Sequence, residues 1–229
     1  MFPEPGKKFA AFLFDMDGTI LSSTAAAERV WGAWAERHGL DPVKFLPTMH
    51  GKRGVDTIRQ LGLPGVDPEA EAEKITQAEI EDVEGVVAIP GAADFLAALP
   101  PERWAIVTSS TKALALRRLA AAGLTVPRYM VTSEDVSVGK PNPQGYILGA
   151  EKLGVAASQC LVFEDVEAGV QAGSAAGASV MVITAAGHDL HLPDYPSIND
   201  YMSVEPSIDG DGLISIVQRN DCPRRRPAL

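Results

Sequence analysis

Asp15 and Asp17 stand two positions apart in Asp15-Met16-Asp17-Gly18-Thr19, directly after an apolar run ending at Phe14. Two carboxylates this close repel one another unless a proton or a cation lies between them, and hard oxygen donors of this kind suit Mg²⁺. Read alone, the segment is equally well an Asp-rich turn, since Asp-Gly pairs make turns unaided. Three further segments carry polar groups of matching type. Ala105-Ile106-Val107 leads into Thr108-Ser109-Ser110, whose hydroxyls and N–H groups can cradle a phosphate or simply cap a helix. Gly139-Lys140-Pro141-Asn142-Pro143 sets Lys140 among prolines, either as a fixed point charge for an anion or as a surface cation. Leu161-Val162-Phe163 runs into Glu164 and Asp165, which are further oxygen donors or else first-turn acids favoured by a helix dipole.

These groups can act together only if the fold brings them to one rim. Apolar runs at residues 9–14, 104–107, 129–131, 160–163 and 179–183 alternate with helix-like segments, the pattern of a parallel sheet covered on both faces. In such a sheet, ligands bind beyond the carboxyl ends of the strands, where the acids fall. Residues 111–122 place Leu114, Leu116, Leu119 and Ala122 at near-helical spacing before Gly123, and residues 168–176 end likewise at Gly177. The expected class is therefore α/β, a Rossmann-like parallel sheet flanked by helices. Residues 23–88 show amphipathic helical stretches and no convincing strand, and read as an inserted helical cap on a core made of 1–22 and 89–229. Val30, Trp31 and Trp34 can line one face of its first helix as packing residues, whereas the acidic stretch 69–84 reads as a solvent-facing helix. Pro90-Gly91 marks the return to the core before a helix over 92–99.

The 229 residues hold 20 Lys and Arg against 30 Asp and Glu, a formal net charge of −10, with 46 % hydrophobic and 22 % charged residues. This is the composition of an ordinary globular protein. Its acidic field opposes nucleic-acid or anionic-membrane partners, and the Arg224-Arg225-Arg226 run is too short to reverse that; it reads as a solvated tail or, alternatively, a basic docking signal. Every apolar run falls far short of the roughly twenty residues that span a bilayer. The opening residues lack the order of a secretory signal. Cys160 and Cys222, sparse and widely separated, fit a reducing cytoplasm, with Cys160 a core residue.

Taken in order, Asp15 to Thr19, Thr108, Lys140-Pro141 and Glu164-Asp165 resemble the four signature motifs of the haloacid dehalogenase superfamily, over nearly the whole chain. The segment between the first two motifs resembles its small helical C1 cap. The resemblance implies that Asp15 is a nucleophile forming an aspartyl-phosphate, and that Asp17 serves as general acid and base. It implies Mg²⁺ held by Asp15, the Asp17 carbonyl and Asp165, with Thr108 and Lys140 gripping the transferring oxygens and Lys140 pairing with Asp15. Glu164 would orient a metal-bound water or Lys140. Ser109, Ser110 and Asn142 are expected at the substrate.

Asp17 separates the chain from the dehalogenases of that superfamily, which need neither a second aspartate nor a metal. The related phosphomutases carry a histidine on the first cap helix where Ala27 stands here, so water is the expected phosphoryl acceptor. A phosphonate-cleaving relative would use a cap lysine as a Schiff base, for which Lys52 is the nearest candidate. His50-Gly51-Lys52-Arg53 falls where this cap type sends a specificity loop toward the site. There Gly51 would allow close approach and Arg53 would meet a substrate hydroxyl or phosphate oxygen; the alternative is a helix start with two solvated cations. With residues 101–109 and 163–169, this loop resembles the glycerol-3-phosphatase, 2-deoxyglucose-6-phosphatase and sugar-alcohol phosphatase group, apart from Lys52, where some relatives carry an aromatic residue. The expected activity is Mg²⁺-dependent hydrolysis of a small phosphorylated sugar or polyol in the cytoplasm, by a chain for which a monomer is plausible. A phosphomutase or a phosphonate-cleaving enzyme is the alternative.

Overall fold

Strand β1 (Ala11–Phe14) is buried along its whole length, and its alternating side chains serve two apolar layers. Phe12 and Phe14 join Phe95, Trp104, Phe163 and Tyr201 on one face, while Ala11 and Leu13 join Val107, Tyr146 and Val162 on the other. Phe14 and Phe163 stack with ring centres 4.4 Å apart. A strand apolar on both faces can exist only where helices cover both sides.

The computed structural model describes residues 7–187 and 192–219, so Cys222 and the Arg224–Arg226 run lie outside the described residues. After β1 come β2 (Leu21–Ser22), helices α1 (Thr24–Arg37), α2 (Pro42–Phe45), α3 (Gly54–Leu61) and α4 (Pro68–Glu81), then β3 (Val87–Ala88) and α5 (Ala92–Ala97). The chain continues through β4 (Trp104–Val107), α6 (Lys112–Ala121), β5 (Met130–Val131), α7 (Gln144–Lys152), β6 (Cys160–Glu164), α8 (Glu167–Ala175), β7 (Ser179–Ile183) and β8 (Ser197–Ile198). Strands β9 (Val204–Ile208) and β10 (Ile214–Gln218) follow as an antiparallel pair. The main sheet has six strands in the order β5-β4-β1-β6-β7-β8, and every pairing in it is parallel. From β1 the chain fills one side with β4 and β5, then crosses to the other with β6, so the switch point lies at the carboxyl end of β1.

All five apolar runs form strands of this sheet, although the first and third are shorter than read: Phe9 pairs with Ile214 outside the sheet, and β5 begins only at Met130. The two-residue β8 and the β9–β10 pair carry no sequence signal strong enough to be read, because Glu205 and Pro206 interrupt β9. Cys160 is buried in β6 and burial pushes its thiol up to about 12, which leaves it an inert core group. Among the described residues no helix is long and apolar enough to cross a membrane.

Helices α1 to α4 sit between β2 and β3, which pair antiparallel at the base of the insertion. They share a core of Trp31, Trp34, Phe45, Met49, Ile58 and Ile75. The expectation of a strandless segment over 23–88 is thus corrected at its end, where Val87 and Ala88 pair with Ser22 and Leu21. The acidic helix α4 also departs from its reading as a solvent-facing helix. Ile75 and Glu79, four residues apart and so on one face, are both buried, and Glu71 accepts a hydrogen bond from Trp34 Nε1 at 3.0 Å. Helix α6 likewise turns Leu114, Ala115, Arg118 and Leu119 inward and leaves Leu116 exposed.

Candidate active site

Asp15 emerges at the end of β1 and Glu164 and Asp165 at the end of the neighbouring β6, so parallel pairing alone sets three carboxylates side by side. One oxygen from each lies within 4.8 Å of the others, and all three residues are buried. Lys140 reaches the same point from the turn before α7, donating to Asp15 Oδ1 at 2.5 Å and to Glu164 Oε1 at 2.6 Å. The Tyr146 hydroxyl donates to Glu164 Oε1 at 2.6 Å, and the Asp165 backbone N–H donates to Glu164 Oε2 at 3.0 Å. Glu164 therefore faces Lys140 and its own turn. Thr19 Oγ1 donates to Asp165 Oδ1 at 3.1 Å. Gly18 has φ +86°, and a Cβ there would fall 1.8 Å from Asp165 Oδ2, so the turn after β1 admits only glycine.

The electrostatics of this floor are those of charge crowded out of water. Burial pushes the Asp15 carboxyl up to about 7, with Lys140 pulling it down and Glu164 pushing it further up. Asp165 is also raised well above the usual carboxylate range, by burial first and then by Asp15 and Glu164. Burial works to lower Lys140, but Asp15 and Glu164 outweigh it and keep the ammonium charged. Three buried acids answered by one lysine leave a net negative site, which a divalent cation would neutralise.

Asp17 points elsewhere. Its Oδ1 accepts from Ser23 Oγ at 2.7 Å and from Arg118 Nη1 at 2.9 Å, and its Oδ2 from Ser110 Oγ at 3.1 Å. Arg118 donates through Nη2 to Glu79 Oε1 at 2.9 Å. Thr108 is buried at the end of β4, where its Oγ1 accepts from the Ser110 N–H at 3.1 Å. Above these groups lies a cavity of about 420 Å³, walled by core residues such as Asp15, Thr108 and Asp165 and by Trp31, Lys52 and Glu73 of the insertion.

The loop at residues 50–53 closes one side of this cavity. Gly51 has φ +74° and lies so near Val166 that a Cβ would come within 2.3 Å of its Cγ2; its carbonyl accepts from Ser109 Oγ at 2.8 Å. Lys52 and Arg53 line the cavity, but the Arg53 guanidinium is held by both oxygens of Asp56, at 2.6 and 3.1 Å, and by the carbonyls of Val136 and Ser137. It clamps the insertion to the core loop. Asn142 is not brought into the large cavity; it is exposed, and its Oδ1 accepts from the Gln144 N–H at 3.0 Å at the start of α7.

A family model for haloacid dehalogenase-like hydrolases matches residues 9–177. The chain belongs to this family. Hexitol phosphatase A of Escherichia coli is 42 % identical over 193 residues, covering 82 % of this chain and 87 % of that one. Glycerol-1-phosphate phosphohydrolase 2 of Saccharomyces cerevisiae is 33 % identical over 187 residues, covering 77 % and 75 % respectively. Among solved structures, a hydrolase from Pseudomonas syringae superposes with a TM-score of 0.72 at 28 % identity, over 82 % of this chain and 91 % of that one. The chain is a hydrolase with the haloacid dehalogenase-like fold, and members of this family generally use Mg²⁺.

Within this haloacid dehalogenase-like site, Tyr146, Arg118 and Glu79 were not singled out by sequence reasoning. Two of them did carry a signal. Arg118 stands four residues after Leu114 on the inward stripe of α6, and Glu79 four after Ile75 on that of α4. A charge on an apolar stripe calls for a buried partner. Nothing in the sequence marks Tyr146 as other than a core aromatic.

Proposed function

We propose that the chain is a Mg²⁺-dependent phosphatase that hydrolyses small sugar or polyol phosphate monoesters through an aspartyl-phosphate on Asp15. The observation that carries this reading is a buried Asp15, paired with Lys140, on the floor of a cavity large enough for a small phosphorylated sugar or polyol. The names of the relatives support the substrate class. An Asp15 oxygen attacks phosphorus as the ester oxygen departs. Asp17 gives that oxygen its proton, then takes one from the water that opens the acyl-phosphate. Thr108 and Lys140 hold the phosphoryl oxygens, and Glu164, itself fixed by the Tyr146 hydroxyl, holds Lys140. Asp15, Asp165 and the Asp17 carbonyl would hold the ion, for which the crowded hard-oxygen donor set is fitting. When bound, it offsets the charge that keeps a carboxylate from a phosphate dianion.

Residues 23–88 act in this reading as a cap whose loop 50–53 and helix α4 meet the substrate tail, on a core of 1–22 and 89–229. Ala27 brings only a methyl group to the cavity wall, which cannot relay a proton to a second sugar hydroxyl, so water rather than a phosphosugar is the acceptor. Lys52 is only half buried, short of the desolvation that a Schiff-base amine needs.

Asp15→Asn tests the nucleophile. With a panel of sugar and polyol monophosphates and Mg²⁺, the variant should release phosphate at least about a thousandfold more slowly than wild type, with an unchanged circular dichroism spectrum. Wild-type turnover by the variant would end the assignment. Chelation should abolish release by the wild type. Transfer of phosphate from a hexose 1-phosphate to another carbon, without release, would favour the mutase.

A further inference from the structure

Arg118 is 4 % exposed and lies between two carboxylates from different parts of the chain. Asp17 follows β1 and Glu79 belongs to α4 of the insertion; each accepts one hydrogen bond from a different guanidinium nitrogen, both at 2.9 Å. Arg118 Nη1 also donates to Ser110 Oγ at 3.3 Å, and that hydroxyl donates to Asp17 Oδ2. The neighbouring Arg117 Nε donates to the Ile80 carbonyl at 3.2 Å, so consecutive arginines of α6 grip consecutive residues of α4. Glu79 and Arg118 both line the cavity.

Resting on the proposed phosphatase reading, we infer that Arg118 is a positioning residue: its fork holds Asp17 in place for proton transfer only while Glu79 holds the fork, which ties the acid–base group to the seating of α4 on the core. Stability alone does not account for the arrangement, because a buried ion pair or triad is usually no more stable than an apolar cluster of the same volume. Planarity and separated donors let one guanidinium address two carboxylates at once, which an ammonium does without directional control. When α4 lifts, one prong loses its partner and the guanidinium gains the freedom to turn away. Asp17 is then left with the hydroxyls of Ser23 and Ser110. With α4 seated, Asp17 Oδ1 takes Ser23 and Arg118, and among the described residues Oδ2 takes only the Ser110 hydroxyl, with room to face the cavity that Asp17 lines.

The test separates positioning from folding. Arg118→Met with Glu79→Leu removes both buried charges and should melt close to wild type. Its kcat should fall at least about thirtyfold while KM stays within about threefold. A folded double variant with wild-type kcat would overturn the inference. Should the double variant not fold, Arg118→Lys keeps the charge without the fork and should lose about fivefold in kcat at unchanged KM, where full activity would count equally against it. Glu79→Ala, which removes the acceptor of the second prong, addresses the link to α4 without needing turnover. Amide exchange over residues 17–24 should speed up at least about tenfold, and exchange equal to wild type would break the proposed coupling. A wild type that hydrolyses none of the sugar or polyol phosphates would instead end the phosphatase reading and leave the exchange result to decide this one.

Discussion

Glu164 has no access to solvent and accepts from an ammonium, a phenol and its own turn, so its position is fixed by partners and not by packing alone. Tyr146→Phe removes one of these donors and leaves the ring in place. Because hydrogen bonds to charged groups contribute about 1.5–3 kcal/mol, urea unfolding should show a loss of about 2 kcal/mol. A loss under about 0.5 kcal/mol would mean that Lys140 and the turn satisfy the carboxylate without the phenol. At this scale most legible residues follow an apolar run directly: Asp15 after β1, Thr108 after β4, Glu164 and Asp165 at the end of β6; Lys140 was legible instead from its setting among prolines. Strand direction carries each of the strand-end residues to the same rim. Tyr146 was illegible because its ring reads as core and only its hydroxyl does something else.

The loop at residues 50–53 is where an element rather than a side chain sets the geometry. Gly51 needs both a left-handed backbone and the absence of a Cβ against Val166. Gly51→Ala should therefore cost about 1–2 kcal/mol from backbone conformation alone, and more from the clash. The loop has to move off the core, so KM for a polyol phosphate should rise by about tenfold or more, against a smaller change in kcat; an unchanged KM would show that the loop does not meet the substrate. The sequence suggested close approach here and offered Arg53 either a substrate oxygen or solvent, not the partners that hold its guanidinium. A cation in a loop reads the same whether it faces a ligand or, as found, Asp56 and two core carbonyls. Helix α4 was misjudged for a related reason: its many glutamates hide the two inward positions, Ile75 and Glu79, that dock it.

Across the whole molecule, the floor of the site combines buried acids from two strands, and this couples the ion to stability. Asp15 titrates near 7 when folded against 3.8 as an ordinary side chain, so between those values the folded metal-free protein binds more protons than the unfolded chain. Its contribution to stability is greatest at low pH and falls as pH rises toward and through 7. Mg²⁺ opposes the same repulsion and competes with the proton. The gain in Tm from Mg²⁺ over chelator should accordingly grow from pH 5.5 to pH 8, and a gain that shrank over that interval would remove the ion from the acidic cluster. The sequence by itself determined the parallel sheet, the helical insertion and the order of the motifs, because strand and helix periodicity and the polar groups at strand ends are local properties. Only the tertiary structure decided which cations are committed to other partners and which side chains bridge the insertion to the core. Those pairings join residues as distant as Glu79 and Arg118, or Arg53 and Val136, and a buried charge selects its partner by what packing brings near, which no short stretch of chain encodes.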